Sequence, residues 1–232
     1  MSNEPLAMAI VRSVVAACAP HGVPVTLKMR TGRTDAERNA VRLARAAADA
    51  GVAMLSVHGR TRVQGYGGAA EYDTIAAVKA AVRVPVVANG DIRSPHKARD
   101  VLARTGADAL MIGRAAQGRP WIFREIAHFL ATGALMPPPS TADVARWLVE
   151  HLRDHHALYG ESSGVRSARK HIGWAVRGLP GGEVFRAEMN TIERCDEQVV
   201  AVVRYFERLG EAHPILPGAC IADNDARLRI AA

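Results

Sequence analysis

The chain has 232 residues, 49% hydrophobic and 23% charged, with 20 glycines and 12 prolines, a composition that excludes disorder and collagen-like repeats and leaves room for one full core and part of another. No apolar run approaches the roughly 20 residues of a membrane helix, and the opening MSNEPLAMAI lacks the basic flank and apolar core of a secretory signal, so a cytoplasmic chain is expected. A net charge of +7 favours a polyanionic partner, while only 5% aromatic residues argue against a stacking platform for single strands.

Short apolar, β-branched runs alternate with Ala-rich helical stretches as far as about residue 130, and the pattern is helical from about Pro137 onward. Leu6, Ile10, Val14 and Ala17 predict a helix over 4–18, and the His21-Gly22 break precedes a strand over 23–29. Three more units follow: helix 35–50 with strand 54–57, helix 72–81 with strand 84–88, and helix 95–104 with strand 109–112. A further helix starts near Pro120, where proline suits a first turn, and ends near Thr132-Gly133.

Four strands, each feeding a helix, imply parallel pairing with right-handed crossovers, and the unit length suits a β/α barrel. The linker Met136-Pro137-Pro138-Pro139-Ser140 then leads to helices expected over 142–159, 165–177 and 195–209, with a loose tail after Pro214. The expected organisation is an α/β chain: the second half of a barrel over 1–135, an all-helical domain over 136–213 and a tail over 214–232.

A polar cluster follows each strand: Lys28 and Arg30, then His58-Gly59-Arg60, then Asn89-Gly90-Asp91, then Gly113-Arg114. The strand carboxyl ends of a barrel share one face, so these clusters converge there, whereas any one alone would read as a capped or solvated strand end. Gly90 and Gly113 let a backbone approach an anion, Arg114 offers a fork of donors, and the last two βα loops of barrels often hold phosphate, so a phosphorylated ligand is expected. As plain turn residues, Asn89-Gly90 and Gly113 would need no ligand. Lys28 could balance negative charge developing on a cofactor ring, and neutral His58 could donate a hydrogen bond or shuttle a proton, unless it is simply a satisfied core histidine.

Arg60 and Arg62 flank a Gly-rich loop with Gln64 and Tyr66, a candidate pocket rim or a solvated turn. Farther on, Arg166, Arg169, Lys170 and Arg177 lie at helical spacings beside His171 and Trp174, which suits either RNA phosphates or a solvated basic face. The cysteines, Cys18, Cys195 and Cys220, are odd in number and lack CxxC spacing, which indicates neither a disulfide framework nor a zinc site, and no metal is expected.

VPVTLKMRTG, VHGRTRVQGY, VPVVANGDI, ADALMIGRAAQGRPWIF and ARKHIGWAVRGLP, in that order and spacing, together resemble the bacterial tRNA-dihydrouridine synthases, over most of residues 4–209. The resemblance implies an FMN-binding TIM barrel joined to a helical tRNA-binding domain, reducing selected uridines of tRNA with NADPH. Lys28 then resembles the family's lysine at the flavin ring and His58 its histidine near ring and phosphate. Asn89, Gly90, Asp91, Gly113 and Arg114 resemble the flavin-phosphate and ribityl binders, and Arg60, Arg62, Arg166, Arg169, Lys170 and Arg177 become the RNA-binding candidates.

The chain departs from the family at its front. A flavin-contacting strand, a glutamine and the Asn-x-Gly-Cys-Pro motif bearing the family's proton donor are not found in it, so no catalytic residue is assigned. Cys18 lies on the first helix, does not match that motif and reads as a buried small apolar residue, while Cys195 and Cys220 have no catalytic claim. Four strands cannot close a barrel that needs eight. The expectation is therefore that Met1 is an internal methionine of a longer enzyme; a genuine half-barrel would dimerise or survive as an inactive tRNA-binding remnant, and another flavin-dependent barrel oxidoreductase also remains open.

Overall fold

The computed structural model describes residues 3–218. Cys220 and the part of the expected tail beyond 218 lie outside the described residues. The chain divides into two compact units, the first running to Ala115 and the second starting at Ala116, ahead of the proline-rich linker at which the sequence places a boundary.

The first unit opens with α1 (Glu4–Cys18), capped by the Asn3 side chain on the Leu6 amide. It continues through β1 (Thr26–Arg30), α2 (Ala40–Asp49), β2 (Met54–His58), α3 (Asp73–Ala81), β3 (Val86–Asn89), α4 (Pro95–Thr105) and β4 (Ala109–Met111). All strand pairs are parallel and the order is β1-β2-β3-β4, so every crossover leads to the next strand. The fold of this unit is α/β with a four-stranded parallel sheet.

Three boundaries differ from expectation for local reasons. Helix α2 starts at Ala40 rather than Asp35, because Thr34 and Glu37 close a turn and Gly32 bridges Arg38, a close approach in which any Cβ on Gly32 would strike the Glu37 carbonyl. Strand β3 begins at Val86, since Pro85 has no N–H for the ladder and uses its carbonyl to accept from the Leu55 amide. Of the apolar residues that signalled α1, Leu6 and Ile10 are more than half exposed, and Met8 and Val11 supply its buried contacts.

Sheet register explains the burial. Met29, Val57 and Ala88 stand side by side with Leu110, and Leu55 pairs with Val86; Leu55, Val57, Val86 and Ala88 are fully buried. Because side chains alternate along a strand, the intervening residues share the opposite face.

The second unit contains α5 (Ile122–Thr132), α6 (Thr141–Ala175), α7 (Gly182–Met189) and α8 (Cys195–Ala212). Helix α6 is broken at Gly160 (φ 72, ψ 178), so its two segments double back on one another across a single left-handed glycine. Its start is capped by Ser140 on the Asp143 amide. Leu148, Leu152, Ile172, Phe185, Met189, Val202 and Phe206 form the core, with Phe185 stacked on Tyr205 at 4.4 Å. Helix α7 falls where the sequence predicts no helix. Residues 214–216, expected to be loose, are docked: the Thr141 amide donates to Pro214, Ile215 bridges Ser140, and Leu216 is buried. No helix among the described residues is long and apolar enough to cross a membrane.

Candidate functional site

At the carboxyl edge of the sheet, register places Arg30, His58, Asn89 and Met111 in one lateral row, with Lys28, Ser56, Val87 and Ala109 in the row below. Equal register in a parallel sheet means a shared face, so the sequence-predicted Lys28, His58 and Asn89 are brought together. Lys28 is exposed, His58 is only 6% exposed, and the Asn89 amide is anchored by donating to the Met111 carbonyl at 2.7 Å.

Burial foremost, then the neighbouring Arg30, Lys28 and Arg60 charges, lowers the His58 pKa to about 4, so the ring is neutral at pH 7. Nη1 of Arg60 faces its Nε2 at 3.5 Å, a long contact. A guanidinium can only donate, so this contact favours the tautomer with its proton on Nδ1.

Asp91, the residue after Gly90, is the hub of the edge. It sits at φ 50, in the left-handed region, and accepts from both terminal nitrogens of Arg60 (3.1 and 2.6 Å), from the Ala70 amide (2.8 Å) and from Arg114 (3.3 Å). Burial raises its pKa, but the Ala70 amide and the Arg60 guanidinium outweigh that and hold it below the ordinary carboxylate range. Tyr72 supports the same turn by donating to the Gly90 carbonyl at 2.9 Å.

Arg60 is 1% exposed, and besides Asp91 it donates to the carbonyls of Gly67 and Gly68. Counted from the sequence as an RNA contact, it is instead a buried strut that folds the Gly-rich loop onto the strand ends, and it has no surface to offer a phosphate. Arg62 in the same loop is exposed. Asp91 spends its carboxylate oxygens on this network, with its side chain 16% exposed.

Arg114 keeps its side chain 36% exposed and lies 4.8 Å from the Tyr66 ring, while Arg30 approaches the same ring at 5.9 Å and donates to the Thr61 and Gly65 carbonyls. The site contribution of Arg30 was legible only as a charge at a strand end. Its anchoring of a loop more than 30 residues on was not. Gly113 is exposed, and a Cβ there would meet no atom within 4 Å, so β4 ends in open backbone. A depression of about 560 Å3 lies elsewhere, on the outer side of α2 among Arg38, Asn39, Arg42 and Asp49.

In the second unit, Arg166, Lys170 and Arg177 are exposed. Lys170 lies 5.1 Å from the Trp174 ring. Arg169 differs from its neighbours: it is half-buried and donates to the Ile192 carbonyl at 2.9 Å, tying α6 to the segment before α8. That bond turns one terminal nitrogen of the guanidinium inward. Among the described cysteines, Cys18 is half-buried in the last turn of α1, and Cys195 opens α8 with its thiol pushed up by burial and by Glu161 and Asp196.

Comparison with known proteins gives a consistent result. The family model "Dihydrouridine synthase (Dus)" matches residues 1–209. The tRNA-dihydrouridine synthase B of Xanthomonas axonopodis pv. citri is 56% identical over 209 residues, 90% of this chain and 62% of that protein. Those of Pseudomonas putida and Pseudomonas aeruginosa are 53% and 52% identical, each over 89% of this chain and 60% and 61% of their own lengths. The chain thus spans about three fifths of the length of the curated relatives it matches. Among solved structures, a nitroalkane oxidase from Streptomyces ansochromogenes aligns at 18% identity, covering 87% of this chain and 62% of that one, with a TM-score of 0.35, too low to inform the fold.

Proposed function

We propose, because the chain belongs to the dihydrouridine synthase family, that it carries the flavin-phosphate side and the tRNA-facing helices of an enzyme that reduces uridine to 5,6-dihydrouridine in tRNA. The observation that carries this reading is the row of Arg30, neutral His58 and anchored Asn89 at the strand carboxyl edge, flanked by Arg114. The four βα units are one sector of a TIM barrel; strictly consecutive strand order supports this, since doubly wound sheets reverse direction at a switch point.

The residues present fit FMN in charge and access. Arg114, partly exposed beside the open backbone of Gly113, would hold the phosphate, and Lys28 with neutral His58 would face the ring system. FMN supplies the hydride chemistry that none of these side chains can perform, with NADPH as the reductant. The side chains do the rest: Lys28 would place a cation where negative charge gathers, His58 would offer the Nδ1 proton, and Asp91 with Arg60 holds together the loops that follow β2 and β3. Exposed Arg62, Arg166, Lys170 and Arg177 would meet tRNA phosphates.

The test is expression of the full open reading frame in a strain lacking its own dihydrouridine synthases. Yellow protein with a flavin spectrum, and dihydrouridine restored in its tRNA, support the reading. Colourless protein without dihydrouridine overturns it. Salt-sensitive tRNA binding without flavin or dihydrouridine favours an inactive tRNA-binding protein.

A further inference from the structure

We propose that His151, His155 and His171, in the second unit, form a binding site for one divalent transition ion of the Zn2+ class. One ring nitrogen from each of the three lies within 4.8 Å of the other two, the one such cluster of histidine, cysteine and carboxylate among the described residues. The expectation of no metal rested largely on cysteine spacing, which says nothing about imidazoles gathered by a helix reversal.

The architecture is simple. His151 and His155 are four residues apart on the first segment of α6 and so share a helix face. His171 comes from the second segment, beyond the break at Gly160, and is brought back against them with ring centroids 4.9 and 5.2 Å away. Nε2 of His151 and Nδ1 of His171 stand 3.2 Å apart. Two nitrogens bound to one tetrahedral Zn2+ at about 2.0–2.1 Å are separated by about 3.3–3.4 Å, so this pair already has the spacing of a shared ion.

His155 is held in the state a ligand needs. The Ser167 hydroxyl lies 2.7 Å from its Nε2 and donates its own hydrogen to the Ser163 carbonyl at 2.6 Å. Ser167 is therefore the acceptor toward His155, which fixes the proton on Nε2 and leaves a lone pair on Nδ1. A hydrogen bond at the ring nitrogen that does not hold the ion is the usual accompaniment of a metal-bound histidine, and here Nδ1 would be the atom that takes the ion. Three imidazoles suit Zn2+, Cu2+ or Ni2+ and not the oxygen-seeking Mg2+ or Ca2+, and they leave a fourth coordination position for water or another ligand. A bound ion would pin the two segments of α6 across the Gly160 turn.

The full chain, stripped with chelator, would be titrated with Zn2+ alone by calorimetry and with Co2+ by visible spectroscopy. Expected are one ion per chain, a tetrahedral Co2+ spectrum abolished by excess Zn2+, no response to Mg2+, and a rise in melting temperature reversed by EDTA. His151→Gln, at an exposed position, should keep the metal-free melting temperature and lose at least about tenfold in affinity; His171→Ala should lose more, and His21→Gln, outside the cluster, should lose nothing. Zn2+ affinity unchanged in both His151→Gln and His171→Ala, or no stoichiometric binding by the parent chain, would overturn the proposal.

Discussion

The Arg60 guanidinium, 1% exposed, grips the Asp91 carboxylate through two bonds of 3.1 and 2.6 Å and thereby fastens the loop after β2 to the loop after β3. The pair is the mechanical centre of the candidate site, because the turn bearing Gly90 and the Gly-rich loop bearing Tyr66 both hang from it. Removing one member of a buried pair strands the other charge, whose desolvation is no longer offset. Arg60→Met should therefore destabilise the protein by about 3 kcal/mol in urea unfolding, while Arg62→Ala, two residues on and exposed, should stay within about 0.5 kcal/mol of the parent.

His58 makes stability depend on pH. Its folded pKa of about 4 lies below the ordinary histidine value of 6.5, so the unfolded chain binds more protons between those values. Stability should thus rise with pH across that window and be lost as pH falls from about 6.5 toward 4, by on the order of 2–3 kcal/mol. His58→Gln should flatten that part of the profile in denaturant titrations, and an unchanged slope would place the proton uptake elsewhere.

Gly90 has no room for a side chain. At φ 130 a Cβ would lie 2.7 Å from the Ala70 Cβ and 3.2 Å from His58 Cδ2, beside the Asp91 network. Gly90→Ala is expected to cost at least about 2–3 kcal/mol and to weaken flavin binding. Gly133→Ala, also at positive φ but in open space, isolates the backbone cost alone at about 1–2 kcal/mol.

Neighbouring cations on α6 should separate cleanly. Arg169→Ala removes the bond to the Ile192 carbonyl and should lower stability by about 1–2 kcal/mol. Lys170→Ala leaves folding intact and should weaken tRNA binding, reducing the slope of log affinity against log salt by about 0.9. Filter binding across a salt series, paired with thermal melts, distinguishes the two effects.

Arg114→Ala should reduce FMN affinity by about 1.5–3 kcal/mol, the worth of a charge-assisted hydrogen bond to the phosphate. Its backbone neighbours are unaffected, because only one of the Asp91 contacts, at 3.3 Å, is lost. Fluorescence of released flavin during dialysis would measure the change.

Much of the site was legible in the residues alone. Each apolar run ends in a polar cluster, and a parallel sheet aligns such endings whatever its helices do, so the sequence alone implies that Lys28, His58 and Asn89 share one edge. The burial of Arg60 and Arg169 is not written in the local sequence, because a charged residue in a Gly-rich loop or on a helix is exposed by default, and only a partner brought from afar makes burial tolerable. Helix α7 went unseen: GEVFRAEM is short, lies between Gly181 and Asn190, and owes its order to Phe185 and Met189 in the core rather than to a long amphipathic repeat.

Local periodicity and the order of five motifs determined the alternation of strands and helices, the carboxyl-edge clusters and the family, since each depends on residues close in the chain. Which charges are struts and which are free, and that three histidines on one broken helix meet, depended on sheet register and on the turn at Gly160. His155 and His171 are 16 positions apart and Arg60 and Asp91 are 31 apart, and a sequence pattern carries no distance between residues that only a tertiary fold brings together.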